Sequence, residues 1–297
     1  MQRTVVKRAV IVALVGVGAL GLDAGPVGAR QTDDSGGASQ PFVETYENGA
    51  PLANAEVMTV TGRKTGDGGC SFQFPDLELA PDEIAIEARQ TETNFTDCTT
   101  KVEIGTPAAT DGKPQSGGTS VRETMKPGAP AATRPGGLAP SRDTTAARSA
   151  TTRGNGTSAA LLATQSTGYW RVWWEDVINL RVHEVKTNVR WSWDGFSCVW
   201  GYSGWSDYWW LSGTGWAKDS SNQALFPSCD LADVTSVAVY RNGAFCWPGT
   251  VWSVYDNVRA QGRWDGWLLG NVTNTYTTYP FACPTLHWHS ELRRTQN

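Results

Sequence analysis

The residues of this chain best suited to metal chemistry are its three histidines, His183, His287 and His289. A single residue separates His287 from His289, and this spacing places both imidazoles on one face of a β-strand. Zinc-binding sites combine such histidines with a third ligand, for which His183 or Glu291 is available. Polar residues on a solvated strand face give the same pattern. The three histidines are therefore metal candidates only, and no cofactor is predicted.

A hydrolase would need other groups, of which the adjacent carboxylates Glu175 and Asp176 are the nearest example. Glycoside hydrolysis requires two carboxyl groups across a substrate, about 5–9 Å apart, and adjacency in sequence does not establish that arrangement. A Gly-x-Ser-x-Gly motif for a serine nucleophile does not occur in the sequence. A non-catalytic protein is therefore favoured, with an extracellular hydrolase as an alternative.

Tryptophan provides the other candidate site, because all fifteen tryptophans lie between Trp170 and Trp288. In the neighbouring pairs Trp173-Trp174 and Trp209-Trp210, an extended chain would point the two side chains to opposite faces of a sheet. If the sheet buries only one of its faces, one ring of each pair must then lie outside the core. Exposed aromatic clusters mark interaction sites, and flat indoles suit sugar rings. The predicted ligand-binding residues are Trp173, Trp205, Asp207, Tyr208, Trp209, Trp210 and Trp216.

The elements that must position these residues are β-strands. In residues 169–297, the dipeptides at 194–195, 242–243 and 265–266 are Asp-Gly or Asn-Gly between extended runs, as in tight hairpins. The alternation slips near His183, which predicts a β-bulge or a bend there. We expect an all-β chain whose tryptophan-rich domain at 169–297 is a larger antiparallel sandwich or barrel.

The beginning of the chain has the composition of a secretion signal at residues 1–29. Basic residues precede an uncharged apolar run at 9–22, and small residues follow at 27–29. Fourteen apolar residues fall short of the roughly 20 that a membrane helix needs, so cleavage after Ala29 and no membrane span are predicted. The net charge of −4 without a basic patch argues against nucleic acid. The predicted location is extracellular or cell-wall associated.

Two further segments precede the tryptophan-rich domain. Residues 41–104 show short alternating runs broken by turn residues, which predict a small acidic β-sandwich module. Residues 105–168 lack aromatic side chains and are rich in Pro, Gly, Ala, Thr and Ser, which predicts a disordered linker.

Six cysteines in an exported chain predict disulfides. Separate folding of the two halves would force the pair Cys70–Cys98. The other four cysteines allow three pairings, of which Cys198–Cys229 with Cys246–Cys283 is favoured because neighbours in sequence are usually neighbours in space.

Two resemblances support the β assignment. Residues 48–57 (NGAPLANAEV) and 69–77 (GCSFQFPDL) resemble the carboxypeptidase-regulatory and transthyretin-like sandwich family, which implies a β-sandwich and is nearly silent on function. Residues 168–177 (GYWRVWWEDV), 210–216 (WLSGTGW) and 286–292 (LHWHSEL) resemble a group of uncharacterised exported proteins of actinobacteria. That resemblance implies secretion and a β fold, and no activity.

The sequence thus predicts a secreted, non-catalytic protein whose tryptophan-rich domain binds glycan or another extracellular ligand. The expected partner is a polysaccharide or cell-wall polymer. A structural or protein-interaction role at the cell surface is the alternative. The sequence leaves the ligand and the oligomeric state open.

Overall fold

The runs in which apolar and polar residues alternate form β-strands, as the sequence predicts. The computed structural model describes residues 43–45, 50–65, 69–108, 117–125, 164–246, 249–278 and 286–295. These residues form sixteen strands and a short 3-10 turn at Ser212–Thr214, which confirms the all-β class. Among them, no helix is long and apolar enough to cross a membrane.

The strands are numbered in chain order. The first eight are β1 (Val43–Thr45), β2 (Ala53–Thr61), β3 (Arg63–Lys64), β4 (Cys70–Ser71), β5 (Leu77–Leu79), β6 (Ala85–Asn94), β7 (Thr99–Thr106) and β8 (Thr119–Thr124). The others are β9 (Thr164–Glu175), β10 (Arg181–Trp193), β11 (Trp200–Trp210), β12 (Trp216–Pro227), β13 (Leu231–Cys246), β14 (Gly249–Arg263), β15 (Leu268–Thr278) and β16 (His287–Thr295).

Two open antiparallel sheets contain nearly all of these strands. The larger sheet has the order β2-β7-β6-β16-β9-β10-β11-β8, with β1 also paired to β6. The smaller sheet has the order β12-β13-β14-β15-β5, and β3 pairs with β4 apart from both. The C-terminal strand β16 therefore lies inside the larger sheet, between β6 and β9.

The two sheets pack face to face as a sandwich. Thr187 on β10 donates a hydrogen bond to Ser236 on β13 at 2.6 Å, and the Tyr240 hydroxyl reaches the Glu184 carbonyl oxygen at 2.7 Å. We call the face of the larger sheet that points away from the smaller sheet its outer face. Because side chains alternate along a strand, β9 directs Trp170 and Trp174 inward and Trp173 and Glu175 outward.

Large indole rings fit into the core at positions where the facing strand carries glycine. A Cβ atom on Gly270 would lie 2.4 Å from the Trp170 ring, and one on Gly262 would lie 2.2 Å from the Trp191 ring. Both tryptophans are fully buried. Glycine on β14 and β15 thus lets two indoles approach the backbone of the smaller sheet directly.

The predicted division into a small module, a linker and a tryptophan-rich domain differs from the structure. Pro41–Asn297 form one compact unit, in which β6 pairs with β16 and β5 pairs with β15. The strands of residues 41–104 therefore complete the same two sheets as those of 164–297. Strand β8 lies within the predicted linker and pairs with β11. Local alternation predicts strands but cannot show which distant strand is the neighbour.

The structure also bears on the predicted disulfides, the predicted irregularity near His183 and the predicted turn at 242–243. The disulfides Cys70–Cys98 and Cys198–Cys229 are present, whereas the predicted pair Cys246–Cys283 lies outside the side chains that the structure describes. The predicted bulge or bend near His183 agrees with a register shift between Arg181 and His183. The dipeptide at 242–243 does not end a strand, because β13 continues to Cys246 with an irregular register.

Candidate metal centre

Two neighbouring strands bring a carboxylate and two imidazoles together on the outer face. Glu175 is the last residue of β9, and His287 is the first residue of β16 and pairs with it directly. His289 follows two residues later on the same face and pairs with Trp173. Between the histidines, Trp288 points inward and stacks on Phe74 at 3.9 Å, which fixes the strand's orientation.

The three side chains are close enough to share one ion. One ligand atom from each of Glu175, His287 and His289 lies within 4.8 Å of the other two. Glu175 Oε2 lies 3.4 Å from His289 Nε2 and 3.7 Å from His287 Nε2. Tetrahedral zinc with ligands at about 2.0–2.1 Å separates its ligand atoms by about 3.3 Å, so these two distances nearly match a coordinated geometry.

Burial makes both imidazoles suitable ligands. It lowers the pKa of His287 to about 4, and burial together with nearby positive charge lowers the pKa of His289 well below its ordinary value. Both rings are therefore neutral at pH 7, which is the form of imidazole that binds metal ions. Burial also raises the pKa of Glu175, while the hydrogen bond from Trp173 and the charge of Arg181 oppose that rise.

His289 has a particular need for a partner. Its side chain is 5% exposed, and neither ring nitrogen forms a hydrogen bond within the described part of the chain. A buried polar group without a partner costs about 1–3 kcal/mol. A metal ion bound by His289 Nε2 would satisfy one of these nitrogens.

Trp173 contacts two members of this group. Its indole N–H donates to Glu175 Oε1 at 2.6 Å, and its ring stacks on His289 with centroids 5.1 Å apart and planes 15° apart. The guanidinium groups of Arg171 and Arg181 lie 4.6 Å and 4.9 Å from the centre of the Trp173 ring. These neighbours leave Trp173 4% exposed, although it is on the outer face.

Both third ligands suggested by the sequence are wrong. His183 points into the sandwich, where Nδ1 lies 2.7 Å from the Tyr255 hydroxyl and the ring stacks on Tyr240. Glu291 forms ion pairs with Arg171 and Arg293. Neither belongs to the group of His287 and His289.

The third member is Glu175, which the sequence suggested only as part of a carboxylate pair with Asp176. Asp176 does not join the group, because its carboxylate accepts the backbone N–H groups of Ile178 and Leu180 in the turn after β9. Only the register between β9 and β16 connects Glu175 with the histidines, and the sequence gives no signal for that register.

The predicted sugar-binding side chains do not form one exposed surface. Trp173, Tyr208 and Trp216 are buried, which corrects their assignment as exposed ligand-binding residues. Tyr208 and Trp216 pack within the sandwich, where the Tyr208 hydroxyl donates to the Asn222 carbonyl oxygen and Trp216 contacts His183. Packing between the two sheets therefore explains why Tyr208 and Trp216 are buried.

Strand β8 covers part of the remaining set. Arg122 binds both carboxylate oxygens of Asp207 and lies 5.8 Å from the centre of the Trp205 ring. Gly118, just before β8, lies so close to Trp209 that an added Cβ atom would be 2.1 Å from its ring. Trp205, Trp209 and Trp210 remain partly exposed.

Comparison with known proteins suggests no function for this group of residues. The two resemblances noted in the sequence stay predictions. No protein-family model, curated protein or solved structure matches the chain.

Proposed function

We propose that this chain is an exported, non-catalytic protein that binds a divalent transition-metal ion through Glu175, His287 and His289. The observation that carries the proposal is the convergence of these three ligand atoms within 4.8 Å around a buried His289 that lacks a hydrogen-bond partner in the described residues. A carboxylate and two neutral imidazoles form a donor set that suits zinc and its neighbours.

The burial of the site favours a retained ion over an open catalytic centre. His287 is fully buried and the Glu175 side chain is 15% exposed. Three protein ligands leave a fourth position for water, as in catalytic zinc sites, but the burial of both histidines leaves little access for a substrate. The two disulfides support an oxidising location, in agreement with the predicted secretion signal.

Metal binding can be tested by equilibrium dialysis of the native chain against Zn²⁺, followed by metal analysis. We expect one tightly bound ion per chain, and loss of that ion in His289→Ala and in Glu175→Gln. Asp219→Asn is the control, because Asp219 is an exposed carboxylate outside the site, in an ion pair with Arg241. Native protein without bound zinc, or equal zinc in all variants, would contradict the proposal.

Glycan binding is a second candidate, now confined to the aromatic residues that remain accessible. Trp200 and Tyr202 are 37% and 39% exposed on β11, the strand that also carries the partly exposed Trp205 and Trp209. Polysaccharide pull-down with native protein, Trp200→Ala and Trp209→Ala would test this candidate. Unchanged retention of both variants would count against it.

A further inference from the structure

We infer that the site selects a four-coordinate ion of the zinc class, and that Trp173 is the positioning residue responsible for this selectivity. The inference rests on the proposed metal binding. The selectivity depends on which oxygen of Glu175 is available to a metal, how firmly that oxygen is held, and how many protein ligands the ion can then bind.

The two carboxylate oxygens of Glu175 have different environments. Oε1 accepts the indole N–H of Trp173 at 2.6 Å. Oε2 is the oxygen that lies 3.4 Å from His289 Nε2 and 3.7 Å from His287 Nε2. The hydrogen bond occupies Oε1 and turns it toward the indole, so Glu175 offers the ion a single oxygen.

Trp173 is itself held in place by its surroundings. One ring orients two ligands, since it donates to Glu175 and stacks on His289. Arg171 and Arg181 pack against the same ring, and each is anchored by an ion pair, to Glu291 and to Glu184 respectively. Rotation of the indole would break these contacts together, so its N–H stays directed at Oε1.

The resulting ligand set is one oxygen and two nitrogens. Zinc reaches its usual coordination number of four with three protein ligands and one further ligand. Calcium requires about six to eight oxygen ligands, often with a bidentate carboxylate, and magnesium prefers six, mainly oxygen. A buried site with one available oxygen cannot supply either set. We expect Zn²⁺ to bind, Co²⁺ to replace it with similar geometry, and Ca²⁺ and Mg²⁺ to compete poorly.

The test is the substitution Trp173→Phe, which keeps an aromatic ring and removes the N–H donor. Loss of a hydrogen-bonded partner of a metal ligand typically weakens metal affinity about 10–100-fold, and we expect a Zn²⁺ dissociation constant raised by that factor. With Oε1 released, the visible spectrum of the Co²⁺-loaded variant should shift from four-coordinate toward five-coordinate. Trp193→Phe is the matched control, because it removes an indole hydrogen bond to Ser166 elsewhere in the larger sheet.

Several results would overturn this inference while leaving metal binding intact. They are an unchanged zinc affinity in Trp173→Phe, an equal loss in Trp193→Phe, or competition by Ca²⁺ at concentrations similar to Zn²⁺. X-ray absorption of the zinc-loaded native protein needs no substitution, and a shell of six ligands there would also contradict it. A native protein that binds neither Zn²⁺ nor Co²⁺ would instead refute the proposed function itself.

Discussion

Glu87 should make the protein less stable as the pH rises, and this effect can be isolated by one substitution. Glu87 lies on β6 directly opposite Glu291 on β16. Burial, followed by the charge of Glu291, raises the pKa of Glu87 to about 7, although Arg89 and Arg171 oppose the rise and Glu175 adds slightly to it. Glu291 stays ionised, because Arg171 and Arg293 lower its pKa against the effect of burial.

The sign follows from proton binding in the folded and unfolded chains. Between pH 4.5 and about 7, the folded chain keeps the Glu87 proton that the unfolded chain has already lost. Stability therefore falls as the pH rises through this interval and levels off above it. A folded-state pKa of about 7 against an ordinary value of 4.5 corresponds to about 3 kcal/mol, an upper bound because Glu87 retains some exposure.

The substitution Glu87→Gln replaces the carboxyl group with an amide that stays neutral at every pH. We expect it to raise the free energy of unfolding by about 2–3 kcal/mol at pH 8 and to change it little at pH 4.5. Urea unfolding at both pH values, with a chelator present to remove any metal effect, gives the comparison. Glu78→Gln on β5 is the control, since Glu78 is exposed. An equal effect of Glu87→Gln at the two pH values would refute the reasoning.

Three other perturbations test the structure independently. Zinc at about 100 times its dissociation constant should stabilise the fold by about 2.7 kcal/mol, and a melting temperature unaffected by chelation would contradict this. Gly270→Ala should cost about 1–3 kcal/mol in chemical denaturation, because its Cβ would meet the Trp170 ring, whereas Gly243→Ala, with its nearest neighbour at 3.9 Å, should cost less. Replacement of Cys70 and Cys98 by alanine should lower the free energy of unfolding by about 2–5 kcal/mol, and an unchanged denaturation midpoint would count against that expectation.

The sequence predicts the strands better than their arrangement. Period-two runs identify most of the larger strands, and the spacing of His287 and His289 correctly places both on one strand face. Strand β16 pairs with β6, about 200 residues earlier in the chain, and with β9, over 100 residues earlier. Such pairing depends on packing across the whole sandwich, so the third candidate ligand, Glu175, could not be inferred from local sequence.

The predicted exposure of Trp173 was wrong for a related reason. The prediction assumed that a sheet has one buried face, so that one ring of each adjacent tryptophan pair must be exposed. Trp174 does pack inward, near Phe74, but Trp173 is also buried, between arginine side chains and His289 on the outer face. Long charged side chains can cover an aromatic ring through their stems and planar heads, and this possibility is not visible in a count of apolar residues.

Strand β16 links these observations, because its two faces have separate roles. Its inward side chains Trp288 and Leu292 are fully buried in the core, and this packing fixes the register against β9. The same register places His287 opposite Glu175 and His289 opposite Trp173. An ion bound there would join β16 to β9 by side chains in addition to backbone hydrogen bonds. The geometry of the candidate metal site is therefore a consequence of core packing on the other side of the sheet.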